Sequence, residues 1–323
     1  MRILQMKRLG AGHLPVFFAI CFVTMLGCTY AVSVWRGDID PVFPYISASG
    51  DARPESCIFS MMLSVCSFFS VLLIILRYSL VVELNRSSDL KLKAVNRLAF
   101  YVGISSGVGM FIVANFQETA VVQVHLFGAF LCFGSGCVYM LLQSWVTYRM
   151  SPLFNGPQIA HIRLAIALAG TISFATAFSF GLMAANTFHY YYPDRPTPRP
   201  WTRKHGLLPG YDLHCISAIA EWTLALLKMA FLLSYSREFE KIRVELGVQP
   251  LVSHLDQSPI WHYFPRELLE LTPSRGRLSL EKWAPLARSD NPSNPPPLPF
   301  DPLGRPCHRS ASSLLAAWRS LIV

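Results

Sequence analysis

The chain has 323 residues, of which 52 % are hydrophobic and 15 % charged, where an ordinary soluble domain carries about a quarter charged residues. With a mean hydropathy of +0.37, this composition excludes a soluble enzyme. The net charge of +9 reads as basic flanks meeting anionic lipid headgroups, with no nucleic-acid partner needed.

Six apolar blocks follow in chain order: 14–34, 58–76, 98–114, 121–142, 164–185 and 213–233. Each has about 17 to 22 residues, enough to cross a hydrocarbon layer of about 30 Å at 1.5 Å rise per residue. The first five contain no Asp, Glu, Lys or Arg. The fold class is therefore all-α, a polytopic bundle of six transmembrane helices. Arg2, Lys7 and Arg8 before the first block would also suit a signal peptide. The block is too long for one, and Leu26 fits a lipoprotein-type cleavage box at Met25 to Cys28 poorly, so a permanent helix is expected.

Basic residues of short connections set the threading. Arg2, Lys7 and Arg8 precede span one; Arg77, Arg86, Lys91, Lys93 and Arg97 follow span two; Arg149 and Arg163 follow span four; Arg237, Lys241 and Arg243 follow span six. The opposite side has fewer: Arg36, Arg53, Arg195, Arg199, Arg203 and Lys204. Both termini should face the cytosol. The domains are then a cytosolic N-terminus (1–13), a membrane domain (14–245) and a Pro-rich cytosolic tail (246–323), mostly disordered. The sequon Asn85-Arg86-Ser87 falls on the cytosolic side and should stay unmodified. Within the Asn294 to Pro299 run, Pro296 to Pro299 has the pattern of an SH3-type polyproline ligand, although such runs are common in disordered tails, and a short apolar helix is expected near Leu314 to Ile322.

Small residues allow close approach between helices in lipid. Span three has Gly103 and Gly107, span four Gly128, Cys132 and Gly136, and span five Ala167, Thr171, Ala175 and Ser179. A turn over 115–120 makes spans three and four antiparallel neighbours, and these helices should form the bundle centre. Of eight cysteines, Cys57 and Cys215 are geometrically able to form a bridge, although buried Cys is more often a small hydrophobe. No spacing of Cys or His suggests a metal site, and no cofactor is expected.

Span six alone is charged. His214, Glu221 and Lys228 stand seven apart, nearly two turns, and so share one face. Lys228 is placed to snorkel toward the cytosolic end. Glu221 lies near mid-membrane and needs a partner, a proton or a hydrated cavity. His125 in span four is a candidate partner, and Asn115 completes a candidate polar cluster of Asn115, His125, His214 and Glu221. A structural clamp and a lumen-facing pocket both fit. The first lumenal loop, with Pro44-Tyr45-Ile46-Ser47 and then Pro54-Glu55-Ser56-Cys57, reads as an ordered cap over the helix ends.

The PYIS and PES segments, Ala114-Asn115-Phe116-Gln117-Glu118, His125, Gly128, Tyr139 and Gln143-Ser144 closely resemble the DRAM family, the damage-regulated autophagy modulators, within the wider Frag/DRAM/Sfk superfamily. Span six agrees through Tyr211, His214, Ser217-Ala218, Glu221-Trp222 and Glu238-Phe239, so that the likeness covers residues 10 to 245. The resemblance implies a six-span protein of lysosomal and endosomal membranes that promotes autophagy and damage-induced apoptosis. The chain departs from the family in a Pro/Arg-rich third lumenal loop (Pro193 to Trp201) and in its long tail.

Asp38, Asp40, Glu55, Asn115, His125, His214 and Glu221 suffice in type for acid–base work on a lipid headgroup, but no hydrolase, phosphate-loop or metal motif accompanies them. No catalytic residue is assigned. The reading is a non-enzymatic modulator whose partners are membrane lipids and unidentified proteins, the latter through the tail. The alternatives are a lipid-remodelling factor or lipid-active enzyme of the endoplasmic reticulum or Golgi, and a transporter using Glu221.

Overall fold

The computed structural model describes residues 10–85, 89–203, 208–242 and 244. Every regular element among them is helical: α1 (His13–Arg36), a 3-10 turn (Ala48–Gly50), α2 (Glu55–Leu84), α3 (Leu90–Asn115), α4 (Val122–Arg149), α5 (Pro157–Tyr191), α6 (Tyr211–Leu233) and the short α7 (Ser236–Phe239). Six of the helices are long and apolar enough to cross a membrane. The tail, its proline run, the 314–322 segment and residues 86–88 of the sequon connection lie outside the described residues. Asn85 is described, and Asp89 engages both ends of its side-chain amide.

Ends are set by local chemistry. Asp89 caps α3 by accepting from the backbone N–H groups of Lys91 and Leu92. Pro157 opens α5, where its missing N–H costs nothing. Gly37, at φ 74°, closes α1 in the left-handed conformation that glycine adopts without strain. Successive helices are neighbours and α6 returns to α1, closing a ring. The start of α1 meets α7, where Ser236 Oγ donates to the Gly12 carbonyl at 2.9 Å. That end of the bundle is the termini end, and the end bearing the loops after α1, α3 and α5 is the cap end.

The small-residue reading holds for α3 and α4, whose glycines are buried against neighbouring helices, and is corrected for α5. The backbone approach between α3 and α4 is made by Gly109 against Gly128 and Cys132, while Gly103 meets the side chains of Tyr139 and Ile74 and Gly107 meets Val71 of α2. On α5, Ala167 is buried but Ala175 and Ser179 are exposed. A row of four-residue steps slips about 40° per step around a helix of 3.6 residues per turn, so its far end turns away from the partner. Helix α5 is the least buried of the six and α6 the most, so α5 does not belong to the bundle centre. Cys57 and Cys215 are free thiols.

Lys228 does not snorkel. It is buried, and its ammonium donates to Ser106 Oγ at 2.8 Å, to the Cys132 carbonyl at 3.1 Å and to Cys132 Sγ at 3.2 Å. These acceptors lie within reach on α3 and α4, so three hydrogen bonds inside the bundle replace headgroup water. Ser106 also donates to Cys132 O at 2.6 Å. Replacing Lys228 by methionine therefore orphans no donor or acceptor, and Lys228→Met should leave the melting temperature of the solubilised protein unchanged or raise it by a few degrees. A large fall would show that the ammonium itself holds α3, α4 and α6 together.

Candidate functional site: a capped cavity open to the bilayer

At the cap end the loop after α1 dips between the helices, held there by side chains of α1, of α6 and of the turn between α3 and α4. Ser33 Oγ donates to Ser49 O at 2.7 Å, and Trp222 Nε1 donates to Pro44 O at 2.9 Å. Tyr45 OH donates to Ser217 Oγ at 2.9 Å, which passes its own proton to Ala177 O on α5 at 2.6 Å. Ser47 Oγ donates to Glu118 Oε2 at 2.8 Å, and Ile46 is buried with its backbone amide toward Glu221. All four residues of the PYIS segment are therefore engaged, as an ordered cap requires. Burial pushes the Tyr45 phenol above its usual range, so it stays a donor.

The Pro/Arg-rich loop after α5 completes the roof. Arg203 grips Asp40 through its backbone N–H at 3.1 Å and a fork of Nε at 2.9 Å and Nη2 at 3.0 Å. Arg199 sits 3.4 Å from Glu118. Burial works against ionisation of Asp40, but the Arg203 fork and the Val42 amide outweigh it and hold the carboxyl below its ordinary value of 3.8. A carboxyl whose pKa is lowered by folding stabilises above the unfolded value and loses that contribution only as pH falls through the lower folded value. The latch is therefore intact at a mild acidity of about pH 5. Hydrogen exchange across 193–203, corrected for its intrinsic pH dependence, should be equal at both pH values and should rise severalfold in Asp40→Asn. An opening of this segment between pH 7 and pH 5 in the unaltered protein would refute the latch.

Beneath the roof lies a cavity of about 310 Å³ between α4, α5 and α6. Its cap end is polar, with Tyr45, Ser47, Glu118, His125, Arg199 and Ser217. Glu221 stands farther along α6, and the interior is lined by Phe130, Phe133, Phe174, Phe178 and Leu224. From His125 to Phe133 the α4 wall runs about 12 Å at 1.5 Å per residue, less than half the hydrocarbon layer. Leu126, Phe130, Phe178 and Leu182 line the cavity and are each half-exposed on the outer faces of α4 and α5, so the cavity reaches the lipid-facing side of this seam, where the Phe130 and Phe178 rings stand 6.0 Å apart.

The candidate cluster divides. His125 and Glu221 line the one cavity. His125 Nδ1 donates to Phe116 O at 2.6 Å, which leaves Nε2 an acceptor, and Glu221 makes no ion pair among the described residues. His214 stands behind the cavity wall in an aromatic box, stacked on Trp201 at 5.0 Å and edge-on to Tyr45 at 4.5 Å. Its Nδ1 has no hydrogen-bond partner among the described residues. Asn115 turns the other way: Nδ2 donates to Ser64 Oγ at 3.2 Å and Oδ1 accepts from Ser60 Oγ at 3.1 Å, so it clamps α3 to α2. Asp38 and Glu55 share Arg36 at 2.9 and 3.7 Å, away from the cavity lining. Glu118, Ser217 and Arg199 were not singled out as site residues from sequence. The available signal for Glu118 was its position in so short a turn between spans, which forces it to the cap end.

Residues 10–242 match the Frag1/DRAM/Sfk1/Cwh43P N-terminal domain. This chain belongs to that family. The DNA damage-regulated autophagy modulator protein 2 of Bos taurus is 33 % identical over 253 residues, 77 % of this chain and 92 % of the relative. The DNA damage-regulated autophagy modulator protein 1 of Xenopus laevis is 30 % identical over 240 residues, 74 % of this chain and 95 % of the relative. The modulator of macroautophagy TMEM150B of Danio rerio is 31 % identical over 155 residues, 47 % of this chain and 65 % of the relative. No solved structure matches. The family match spans all six helices and both walls of the cavity.

Proposed function

We propose that this chain is a non-enzymatic multi-pass protein of the lysosomal membrane that promotes autophagy and damage-induced apoptosis, with both termini in the cytosol and the cap in the lumen. The observation that carries this reading is the family match over 10–242 together with relatives named as autophagy modulators. The charge bias of the connections supports the threading. An acid-proof latch over the cap suits a lumenal surface. Membrane lipids and proteins recruited through the tail are the proposed partners.

The test is a knockout cell line rescued with the full chain tagged at its N-terminus. Lysosomal residence and recovery of autophagic flux and of damage-induced death are the expected outcomes. Stable residence in the endoplasmic reticulum or Golgi, retained after deletion of 248–323, would overturn the lysosomal placement in favour of a lipid-remodelling role. Rescue of location without rescue of flux would overturn the autophagy reading.

A further inference from the structure

We propose that the cavity between α4, α5 and α6 binds a single-chain amphiphile with a protonated primary amine, taken from the leaflet at the cap end. This takes the cap and cavity described above as the protein's working site and adds the chemical class of its ligand.

Three observations select that chemistry. The entrance lies in the seam between α4 and α5, at the level of half-exposed Leu126, Phe130, Phe178 and Leu182, so the occupant arrives through the bilayer. The volume of about 310 Å³ stands at the lower end of the range for small-ligand sites, about 300 to 1,000 Å³, and suits one chain better than two.

The third observation is the balance of donors and acceptors around the polar end. The hydroxyl protons of Tyr45, Ser47 and Ser217 and the Nδ1 proton of His125 are all committed to protein acceptors. Among the described residues two acceptors remain free of protein side-chain donors: the Glu221 carboxyl, with the Ile46 backbone amide toward it, and the Nε2 of a neutral His125. Arg199 Nη1 is a donor left without a hydrogen bond, but its charge is set against Glu118 at 3.4 Å. With Glu118 and Arg199 set against each other, Glu221 is the one acidic group of the lining without a cationic partner among the described residues. A carboxylate without a counter-ion in low dielectric is costly, and an ammonium bringing three donors and a positive charge relieves that cost. A fatty acid would instead place a third carboxyl group beside Glu221 and Glu118, which like-charge repulsion opposes.

The experiment uses the purified full-length protein in phosphatidylcholine nanodiscs and an eighteen-carbon primary amine with a photoactivatable group on its chain. Labelling should map to α4, α5 and α6. The unlabelled amine should compete, while the fatty acid of the same length and the N-acetylated amine should compete at least about tenfold more weakly, the factor expected for losing one charge-assisted contact. Glu221→Gln should lower labelling by a similar factor. Ala129→Phe, which fills the cavity from α4 and keeps every polar side chain of the lining, should abolish it. Equal competition by the fatty acid or the N-acetylated amine overturns the proposal, as does undiminished labelling of Glu221→Gln. If Glu221→Gln is not monodisperse, Ala129→Phe and the competition series decide alone. Capture by purified protein needs neither lysosomal residence nor autophagic flux, so this proposal and the cellular reading fail separately.

Discussion

Glu238→Gln is expected to be among the most damaging single substitutions in the membrane domain, at about 3 to 5 kcal/mol. Glu238 lies just past α6 at the termini end and is the carboxylate shared by two guanidinium groups whose side chains are completely buried, Arg77 of α2 and Arg163 of α5. Arg163 Nη1 lies 2.7 Å from Glu238 Oε1, and Arg77 Nη1 pairs with Oε2. Neutral acceptors supply the remaining bonds: Gln143 Oε1 to Arg77 Nε at 3.1 Å, Ser234 Oγ to Arg163 Nε at 2.9 Å, and Thr147 Oγ1 to both arginines. Tyr235 lies between them, its ring centroid 5.2 Å from one guanidinium and 4.6 Å from the other. The cluster has one positive charge more than negative, so removing its anion leaves two buried cations facing each other, and the glutamine amide adds donors where acceptors are needed. Arg163→Met is the informative contrast. It leaves Arg77 balanced by Glu238, and Ser234 Oγ keeps its bond to Phe231 O, so its cost should be clearly smaller. Thermal unfolding of the detergent-solubilised protein, followed by size-exclusion recovery, ranks the two. An Arg163→Met protein less stable than Glu238→Gln would overturn the charge argument.

That cluster also shows where reading a sequence by hydropathy stops. The second apolar block ends at Leu76 because Arg77 is charged, yet α2 continues to Leu84. Helix α5 begins at Pro157, well before the block that opens at Leu164. Arg77 and Arg163 therefore read as headgroup-facing flanks, whereas they are buried inside helices whose length was hidden by their own charge. Their acceptors come from α4, from Ser234 just past α6 and from Glu238 of α7, and no spacing in one segment announces a partner 161 residues away. The six spans were legible because burial in lipid demands a long apolar run, a property of a single segment. Glu221 was legible for the same reason, as one carboxylate in a span with nothing local to neutralise it. The cavity was not, since its phenylalanines come from two helices and each alone is an ordinary lipid-facing residue. Nor was the Asp40–Arg203 latch, whose halves lie in loops far apart in sequence and meet because both cover the same helix ends.

Gly109→Ala is expected to destabilise the bundle by about 1 to 3 kcal/mol, although alanine in a helix interior is ordinarily favoured over glycine by about 1 kcal/mol. A Cβ at position 109 would stand 2.4 Å from the Cys132 backbone nitrogen, 2.7 Å from Gly128 O and 2.8 Å from the Leu131 carbonyl carbon. All three are main-chain atoms of α4, so no rotamer change relieves the contact and the two helices must part. Gly107 gives the control. A Cβ there would meet Val71 Cγ2 at 2.5 Å, the end of a side chain, and the other neighbours lie at 3.8 Å or beyond. Gly107→Ala should therefore be rescued by Val71→Ala, while no single substitution on α4 should rescue Gly109→Ala. Parting α3 from α4 also strains the hydrogen bonds among Ser106, Cys132 and Lys228 and shifts the α4 wall that carries His125. The melting temperature of Gly109→Ala should fall together with amine labelling of the cavity. A Gly109→Ala protein that melts normally would mean that the α3 and α4 backbones do not touch at Gly128 and Cys132, and the position assigned to His125 on the cavity wall would have to change with it.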